Sequence, residues 1–313
     1  MEANQEIRVG VVGAGQFGRT HCRIVEQSAR ARLAAVVDTD PSRAALTDFR
    51  DLEGKVDAAI VAAPTSAHAG IGCWLLEHGI DVLVEKPMAP DLESADRLIA
   101  AAEQHGRMLQ VGHLERFNPA VIALEARVTL PLFFEIHRLS VFSPRSLDVD
   151  VILDLMVHDI DIVLSLAGAQ PEEVRGAGIS ILSPKVDIAN ARLQFPNGCV
   201  ANLTASRVST DRVRKLRLFQ PQQYVSLDYA RQEVLVLSVG ENRQISYEPV
   251  PVTKAEPLQL QFDAFLDSVI TRNPAKTSGR AARQTLRVAL SILDKIKEHA
   301  EIVSKSLVSG WKP

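Results

Sequence analysis

The chain has 313 residues, enough for about two domains of ordinary size and a sizeable core. Hydrophobic residues make up 46% and charged residues 23% of the chain, a balance that excludes a disordered protein. The formal net charge of −3 gives no reason to expect nucleic acid as a partner.

The first third of the chain alternates apolar strands with helices. Strands are predicted over 7–12, 33–37, 57–62, 81–84 and 108–111, and helices over 16–29, 66–78 and 92–105. Continuously apolar strands separated by helices indicate a parallel sheet that is covered on both faces. We therefore predict an α/β fold in which residues 1–116 form a doubly wound parallel sheet of the Rossmann type.

The pattern changes after Arg116. The next predicted elements are a helix over 119–127, a strand over 132–141 and a helix over 151–166. Residues 172–247 are nearly all strand and turn, with hairpin signals at 196–198 and 220–223. Helices predicted over 258–271 and 280–300 close the chain. We predict that residues 117–313 form an α+β domain with a large open, mainly antiparallel sheet.

The cysteines and the first residues of the chain bear on the cellular compartment of the protein. Cys22, Cys73 and Cys199 are far apart and form no CxxC pair, so we expect neither a disulfide framework nor a metal site. No apolar run approaches the roughly 20 residues that span a bilayer. Residues 1–8 are polar and acidic, unlike the start of a signal peptide. These features favour a cytoplasmic protein without a membrane partner.

A glycine-rich loop joins the first strand to the first helix. Its glycines, Gly13, Gly15 and Gly18, fit GxGxxG, with Gln16 and Phe17 between the last two. A loop that follows a strand and opens a helix in this way predicts a dinucleotide pyrophosphate site, because its backbone N–H groups face the phosphates.

The second strand ends at Asp38, 20 positions beyond Gly18, the spacing of a ribose-binding acid. A carboxylate there accepts hydrogen bonds from ribose hydroxyls and repels a 2′-phosphate, which favours NAD over NADP. Arg43 lies close enough in sequence to weaken that preference. The alternatives are a solvated acid in a turn and a different adenine-containing ligand.

Lys86 and His158 are candidates for proton transfer. Lys86 follows the fourth strand, at the sheet edge where such folds bind ligands. Burial and an oxidised nicotinamide would both favour the neutral lysine, a general base; the alternative is a surface lysine in a turn. Asp154 and His158 are four apart in an apolar run and share one face of a helix. His158 is therefore either a proton-transfer group or a core histidine that Asp154 or Asp161 satisfies.

Several ordered motifs together resemble the glucose–fructose oxidoreductase, inositol dehydrogenase and rhizopine catabolism family, written Gfo/Idh/MocA. They are the loop 13–18, Pro64 to His68, Glu85-Lys86-Pro87, Val111 to Pro119, and Asp154 with His158. The resemblance implies a Rossmann domain plus an open-faced sheet domain that assembles into a homo-oligomer, a dimer or tetramer. It implies that Lys86, Asp154 and His158 line the active site. It also implies that Pro64, Thr65, His68 and Glu85 lie along the cofactor, which is NAD.

Residues 112–119, 154–161 and 256–258 resemble the subgroup of this family that acts on UDP-N-acetylglucosamine. That resemblance implies oxidation of the sugar C3 hydroxyl to a 3-keto sugar, in an amino-sugar route such as that of lipid A. The implied substrate contacts are Lys86, His113, Arg116, Asn118, Arg145, Asp154 and His158. Met156 departs from the family pattern, since a glycine often occupies its position.

A basic cluster lies within the strand-rich region 172–247 and offers further charge for a diphosphate. Its members are Arg207, Arg212, Arg214, Lys215 and Arg217, and the alternative is a solvated strand face. The residues as a whole predict hydride transfer from a sugar carbon to NAD, with the hydroxyl proton leaving to Lys86 or His158 while Asp154 orients the pair. Dehydrogenation of another sugar or inositol, NAD-dependent glycoside hydrolysis and a non-catalytic NAD-binding regulator are the alternative functions.

Overall fold

The computed structural model describes residues 6–142, 149–240 and 242–308. The chain forms two compact units. The first contains Met1–Phe117 and Ala255–Leu286, and the second contains Asn118–Lys254 and Arg287–Pro313. The division predicted after Arg116 places residues 255–286 in the second domain, whereas the compact units group them with the first.

The first unit is built on a five-stranded parallel sheet with the order β2-β1-β3-β4-β5. Its strands are β1 (Ile7–Val12), β2 (Ala31–Val37), β3 (Ala58–Val61), β4 (Asp81–Val84) and β5 (Leu109–Val111). The connecting helices are α1 (Gln16–Glu26), α2 (Thr65–Glu77) and α3 (Leu92–Gln104). Every residue of β3, β4 and β5 is buried, which explains their continuous apolar composition and confirms the predicted parallel sheet.

The second unit is built on an eight-stranded sheet with the order β13-β12-β11-β10-β6-β9-β8-β7. Its strands are β6 (Phe133–Val141), β7 (Glu173–Ile179), β8 (Ile188–Gln194), β9 (Val200–Ser209), β10 (Val213–Gln220), β11 (Gln223–Asp228), β12 (Glu233–Val239) and β13 (Ile245–Val250). Among the described strands of this second sheet, β6 and β9 are the one parallel pair. The predicted large, mainly antiparallel sheet is thereby confirmed.

One face of this large sheet carries the core of the second unit. Burial alternates along β8, where Ala189, Ala191 and Leu193 point into the core and their neighbours are exposed. The helices α4 (Pro119–Glu125) and α5 (Val157–Ala167) pack against the same core. The other face of the sheet, called the open face below, carries the alternate residues.

A π-helical turn, Ile152–Met156, leads directly into α5. The predicted helix over 151–166 is therefore not a continuous α-helix. A π-helical turn holds more residues than an α-helical turn, so it shifts the register of the side chains on either side of it, and such turns are frequent at functional sites. Asp154 lies within this turn and His158 lies just beyond it, at the start of α5.

Two helices close the chain, α6 (Pro257–Thr271) and α7 (Gly279–Val308). Phe262, Phe265 and Leu266 of α6 are buried in the core of the first unit, together with Val9 of β1 and Ile24 of α1. Each such side chain contributes about 1.5–3 kcal/mol when fully buried. A helix that follows the whole second sheet in sequence thus completes the core of the first unit.

Candidate active site

The loop after β1 has a backbone that only glycine permits at two positions. Gly13 has a φ of 97°, and a Cβ there would lie 2.6 Å from the carbonyl oxygen of Ala62. A Cβ at Gly18 would lie 1.7 Å from the carbonyl oxygen of Gly13, so glycine is what lets α1 pack on the loop. A Cβ at Gly15 would meet nothing within 4 Å, which leaves open space beside the backbone for a ligand.

The N-terminus of α1 provides hydrogen-bond donors for that ligand. Gly15 is the N-cap, no side chain caps the helix, and its first turn holds no acid. Gln16 and Phe17 of this turn are exposed. Uncapped N–H groups at the positive end of a helix dipole fit a diphosphate, so these residues fit the pyrophosphate of a dinucleotide.

Asp38 is tied to the same loop. Its Oδ2 accepts a hydrogen bond of 2.7 Å from the backbone N–H of Ala14, and its Oδ1 accepts one of 2.9 Å from Asp40. Each oxygen retains acceptor capacity for a ribose hydroxyl. Arg43 lies with its Nε 3.2 Å from Oδ2 of Asp40, so this guanidinium is engaged by an acid of the same turn. The arrangement fits NAD.

The loop after β3 leads into α2 through Pro64 and Thr65, the N-cap and first residue of that helix. The buried His68 has Nε2 2.8 Å from the carbonyl oxygen of Ala63 and Nδ1 3.0 Å from that of Pro87. Burial lowers the pKa of His68, so the neutral ring is the dominant form at neutral pH and donates to one of these two oxygens. His68 therefore lies between the loop after β3 and the turn after β4, with one carbonyl oxygen at each ring nitrogen.

That turn carries Lys86, which is half-buried and joined to Pro87 by a cis peptide bond. The preceding residue, Glu85, is buried, and its Oε1 lies 2.8 Å from Nε2 of His21 on α1. Its Oε2 accepts a hydrogen bond of 3.2 Å from the backbone N–H of Lys86. A Cβ at Gly112 would lie 2.7 Å from either carboxylate oxygen, so the carboxylate packs directly against the backbone of the residue that follows β5.

Three of the residues with predicted substrate contacts follow β5. His113 is buried, and Arg116 is half-buried within a 3₁₀ turn, Leu114–Phe117. Asn118 is the N-cap of α4; its Oδ1 accepts from the N–H of Ala120 at 3.1 Å, and its Nδ2 donates to the carbonyl of Tyr229 at 3.1 Å. Its amide thus fixes the start of α4. Arg145, a further predicted contact, lies outside the described residues.

The second unit holds Asp154, which is half-buried, and His158, which is buried. The residue after His158, Asp159, accepts two hydrogen bonds of 2.8 Å from Nε and Nη2 of Arg138 on β6. Both partners are buried, and the guanidinium carbon lies 5.0 Å from the ring centre of Tyr229. This fork fixes the first turn of α5, and with it the backbone of His158, to the central strand of the large sheet.

Comparison with known proteins decides the family. The family described as "Oxidoreductase family, NAD-binding Rossmann fold" matches residues 7–113, and that described as "GFO/IDH/MocA C-terminal domain" matches residues 124–221. The chain belongs to the Gfo/Idh/MocA family. It is an NAD-binding oxidoreductase that acts on a small molecule, as the motifs predict.

Among its relatives in this family is the UDP-N-acetylglucosamine 3-dehydrogenase of Acidithiobacillus ferrooxidans. That protein is 35% identical over 302 residues, which are 91% of this chain and 96% of the relative. Its solved structure superposes with a TM-score of 0.88 and 34% identity, covering 94% of this chain and 99% of the other. An inositol 2-dehydrogenase from Acidothermus cellulolyticus is 32% identical over 196 residues, 56% of this chain and 58% of that protein.

The basic cluster is not a single site. In β10, Arg217 lies on the open face, where its Nη1 lies 2.8 Å from Oε2 of Glu135. Arg214 lies on the opposite side of the same strand, because alternate residues face opposite ways. Arg207 is buried and donates to the carbonyl of Val149 and, at 3.2 Å, to that of Val186. These contacts give Arg207 a structural role.

Sequence reasoning missed His21, Arg138 and Asp187. His21 lies three positions after Gly18, about one helical turn, and this position is a signal that could have found it. Burial would raise the pKa of Asp187, but hydrogen bonds from the N–H groups of Leu182 and Ile181, and others from Ser183, outweigh it and hold the pKa at about 2.

Two classes of site are not found in the part of the chain that the structure describes. No helix there has the length and apolarity that a membrane span requires. No group of three or more histidine, cysteine, aspartate or glutamate side chains there could hold a metal ion.

Proposed function

We propose that the protein oxidises the C3 hydroxyl of UDP-N-acetylglucosamine to the 3-keto sugar, with NAD as the hydride acceptor. The observation that carries this proposal is the similarity to the dehydrogenase from A. ferrooxidans, because it extends over both units and almost the full length of both chains. The inositol dehydrogenase matches over a shorter part of the chain. Similarity over the second unit supports a substrate shared with the relative, because this unit carries Asp154 and His158, two of the predicted substrate contacts.

In this proposal, each residue group of the first unit has a separate task. The loop from Gly13 to Gly18 binds the pyrophosphate through backbone N–H groups, and Asp38 accepts hydrogen bonds from the adenosine ribose. Pro64 and Thr65 lie along the cofactor. Bound NAD supplies the oxidising group that accepts a hydride.

Proton removal from the sugar hydroxyl is assigned to Lys86 or His158, and Asp154 orients or polarises these groups. Loss of the proton builds alkoxide character on the oxygen, which weakens the adjacent C–H bond and favours departure of the hydride. His113 and Arg116 are proposed to contact the sugar nucleotide, as is Arg145. A guanidinium suits the diphosphate because it donates several hydrogen bonds in one plane.

The test is NADH formation by the purified protein with NAD and a panel of UDP-sugars, with glucose and myo-inositol as controls. An aminotransferase coupled to the reaction removes the 3-keto product and draws an unfavourable equilibrium forward. We expect NADH with UDP-N-acetylglucosamine and none with the controls. A signal with inositol or free sugars alone would contradict the UDP-sugar assignment while leaving the family unchanged. Release of free sugar without net NADH would instead identify a glycosidase.

We propose further that the protein is a homo-oligomer that assembles through the open face of the large sheet. An aromatic and aliphatic row crosses neighbouring strands on this face: Phe133, Phe219, Tyr224, Leu237 and Tyr247. Tyr247 is 66% exposed, and the pair Glu135–Arg217 lies beside the row. A contiguous apolar row flanked by both charges is self-complementary, which favours a second copy of the chain as its cover.

Analytical ultracentrifugation at micromolar concentration tests this assembly. We expect the wild-type protein to sediment as a dimer or tetramer and Phe219→Glu to sediment as a smaller species with unchanged far-ultraviolet circular dichroism. A wild-type monomer, or an oligomer that Phe219→Glu leaves intact, would contradict assembly through this face.

We also propose a cytoplasmic location. Cys22, Cys73 and Cys199 are all free thiols in the structure, which is typical of a reducing compartment. Fractionation of cells that express the full chain tests it, with recovery in the membrane or periplasmic fraction as the contradicting result.

A further inference from the structure

A buried polar pair lies beside Lys86 and has no part in the reaction as proposed. His21 is 0% exposed and Glu85 is 6% exposed, and their Nε2 and Oε1 atoms are 2.8 Å apart. Burial of a carboxylate and an imidazole is costly, and an apolar pair of similar size would fill the space without that cost. The pair therefore calls for a role besides packing.

The Glu85 carboxylate is confined on several sides. Because a carboxylate oxygen accepts hydrogen bonds, Nε2 of His21 is assigned as the donor in this contact. The other oxygen accepts from the backbone N–H of Lys86 at 3.2 Å, and Gly112 approaches so closely that a Cβ there would lie 2.7 Å from both oxygens. The carboxylate thus holds the peptide of Lys86 through a contact that has little room to shift.

His21 connects this contact to the helix that begins at the phosphate loop. It lies on α1 and forms an edge-to-face contact with Phe17, with the ring centres 5.3 Å apart. On the other side of Lys86, the carbonyl of Pro87 lies 3.0 Å from His68 of α2. Buried histidines from successive helices, His21 and His68, therefore lie against the residues before and after Lys86.

We propose that His21 and Glu85 are positioning residues that fix Lys86 relative to the cofactor-binding helix. This inference rests on the proposed function, because it takes Lys86 to be a group that acts on the substrate hydroxyl. Neither side chain needs to contact the sugar. Loss of the pair displaces the backbone of Lys86, and a displacement of about 1 Å at a reacting group can lower a rate by about 100-fold.

The test compares His21→Phe, which removes the donor, with His21→Gln, whose amide can donate from a similar position. We expect His21→Phe to lower kcat at least about tenfold and change the kcat–pH profile, with the Kd for NAD within about twofold of wild type. His21→Gln should restore most of kcat. Val25→Ala is the matched control, because Val25 is buried on the same helix and belongs to the apolar core of the first unit. It should lower the melting temperature and leave kcat unchanged.

A second variant keeps the proposal falsifiable if His21→Phe does not fold. Glu85→Gln retains an acceptor for His21 and loses the charge, so we expect a smaller fall in kcat than for Glu85→Leu. Equal losses of kcat in Glu85→Gln and Glu85→Leu would overturn the positioning role. So would equal kcat in wild type and His21→Phe, or equal losses in His21→Phe and His21→Gln.

A substrate-free measurement separates this inference from the proposed function. The lysines are reductively methylated with ¹³C, and the Lys86 resonance is assigned by its disappearance in Lys86→Arg. With NAD bound, we expect this resonance to shift in His21→Phe and to stay in place in Val25→Ala. An unchanged resonance in His21→Phe would overturn the inference, even if UDP-N-acetylglucosamine is oxidised. A shifted resonance would support it, even if the substrate proves to be another sugar.

Discussion

The turn that carries Lys86 and the helix that carries His158 are held by different chemistry. Around Lys86, a hydrogen bond from His21 holds Glu85, and the buried His68, whose pKa burial lowers, lies 3.0 Å from the carbonyl oxygen of Pro87. Beside His158, a buried guanidinium holds Asp159 through two parallel hydrogen bonds.

These two arrangements differ in what their loss would cost. A hydrogen bond to a charged group contributes about 1.5–3 kcal/mol, whereas removal of one partner of a buried ion pair costs about 3–5 kcal/mol. Loss of a contact at the turn of Lys86 should therefore cost less stability than loss of the paired hydrogen bonds at the start of α5. Damage near Lys86 should thus affect turnover first, and damage near His158 should affect folding first.

The largest expected effect is on turnover, and it tests the role of the turn that carries Lys86. Lys86→Ala should lower turnover about 100- to 10,000-fold, because it removes the proposed proton acceptor. The Kd for NAD should stay within about twofold, and the unfolding free energy should change little, because the change leaves the contacts of Glu85 and Pro87 in place. Steady-state kinetics and calorimetry measure both. Retained turnover would remove the lysine from the mechanism and leave His158 as the base.

The next largest effect is on stability, and it tests the buried ion pair between Arg138 and Asp159. Arg138→Met leaves the carboxylate of Asp159 buried without its cation, so we expect a loss of about 3–5 kcal/mol in the free energy of unfolding by urea. The double variant Arg138→Met with Asp159→Leu is the control, since it removes both charges and should recover most of the loss. A loss below about 1 kcal/mol in the single variant would show that the fork does not hold α5.

An intermediate effect concerns acid stability of the second unit. The pKa of Asp187 falls from 3.8 to about 2 on folding, so its contribution is complete above about pH 4 and is lost as the pH falls toward 2. A shift of this size corresponds to on the order of 2 kcal/mol. Asp187→Asn should be less stable than wild type by about this amount at pH 7, with the difference about halved at pH 3. A difference that does not depend on pH, in urea unfolding, would contradict the assignment.

The smallest expected effect is on the choice between NAD and NADP at the cofactor loop. Asp38→Ala removes the acid that is tied to Ala14, and we expect the ratio of kcat/KM for NAD to that for NADP to fall roughly tenfold. Arg43→Ala is the control and should leave the ratio within about twofold, because Arg43 is paired with Asp40. An unchanged ratio in Asp38→Ala would show that another residue selects the ribose.

Sequence alone predicted those parts of the fold that local patterns encode. The buried strands β3 and β4 are apolar runs in the sequence, and the spacing from Gly13 to Gly18 predicts a phosphate-binding loop. The confirmed sheet of the second unit was predicted from hairpin turns such as that at 196–198, because alternation and turn residues are local signals.

The remaining features depend on contacts between distant positions. His21 and Glu85 are 64 positions apart, so no local pattern reveals that they meet. Arg138 and Asp159 come from a strand and a helix that are 21 positions apart. The π-helical turn at Ile152–Met156 has the same apolar composition as an ordinary helix, so hydrophobic periodicity does not distinguish the two. The predicted site residues themselves stay predictions until the kinetic tests are made.

The docking of α6 against β1 constrains how the chain is made. When residues 1–117 leave the ribosome, the five strands of the parallel sheet are complete. About 140 further residues must then be translated before Phe262 and Phe265 emerge. The apolar face that they cover in the folded protein is therefore exposed to solvent while the whole second sheet is synthesised. The nascent first unit is thus a client for chaperones until the C-terminal segment emerges, and fragments truncated before residue 257 should aggregate.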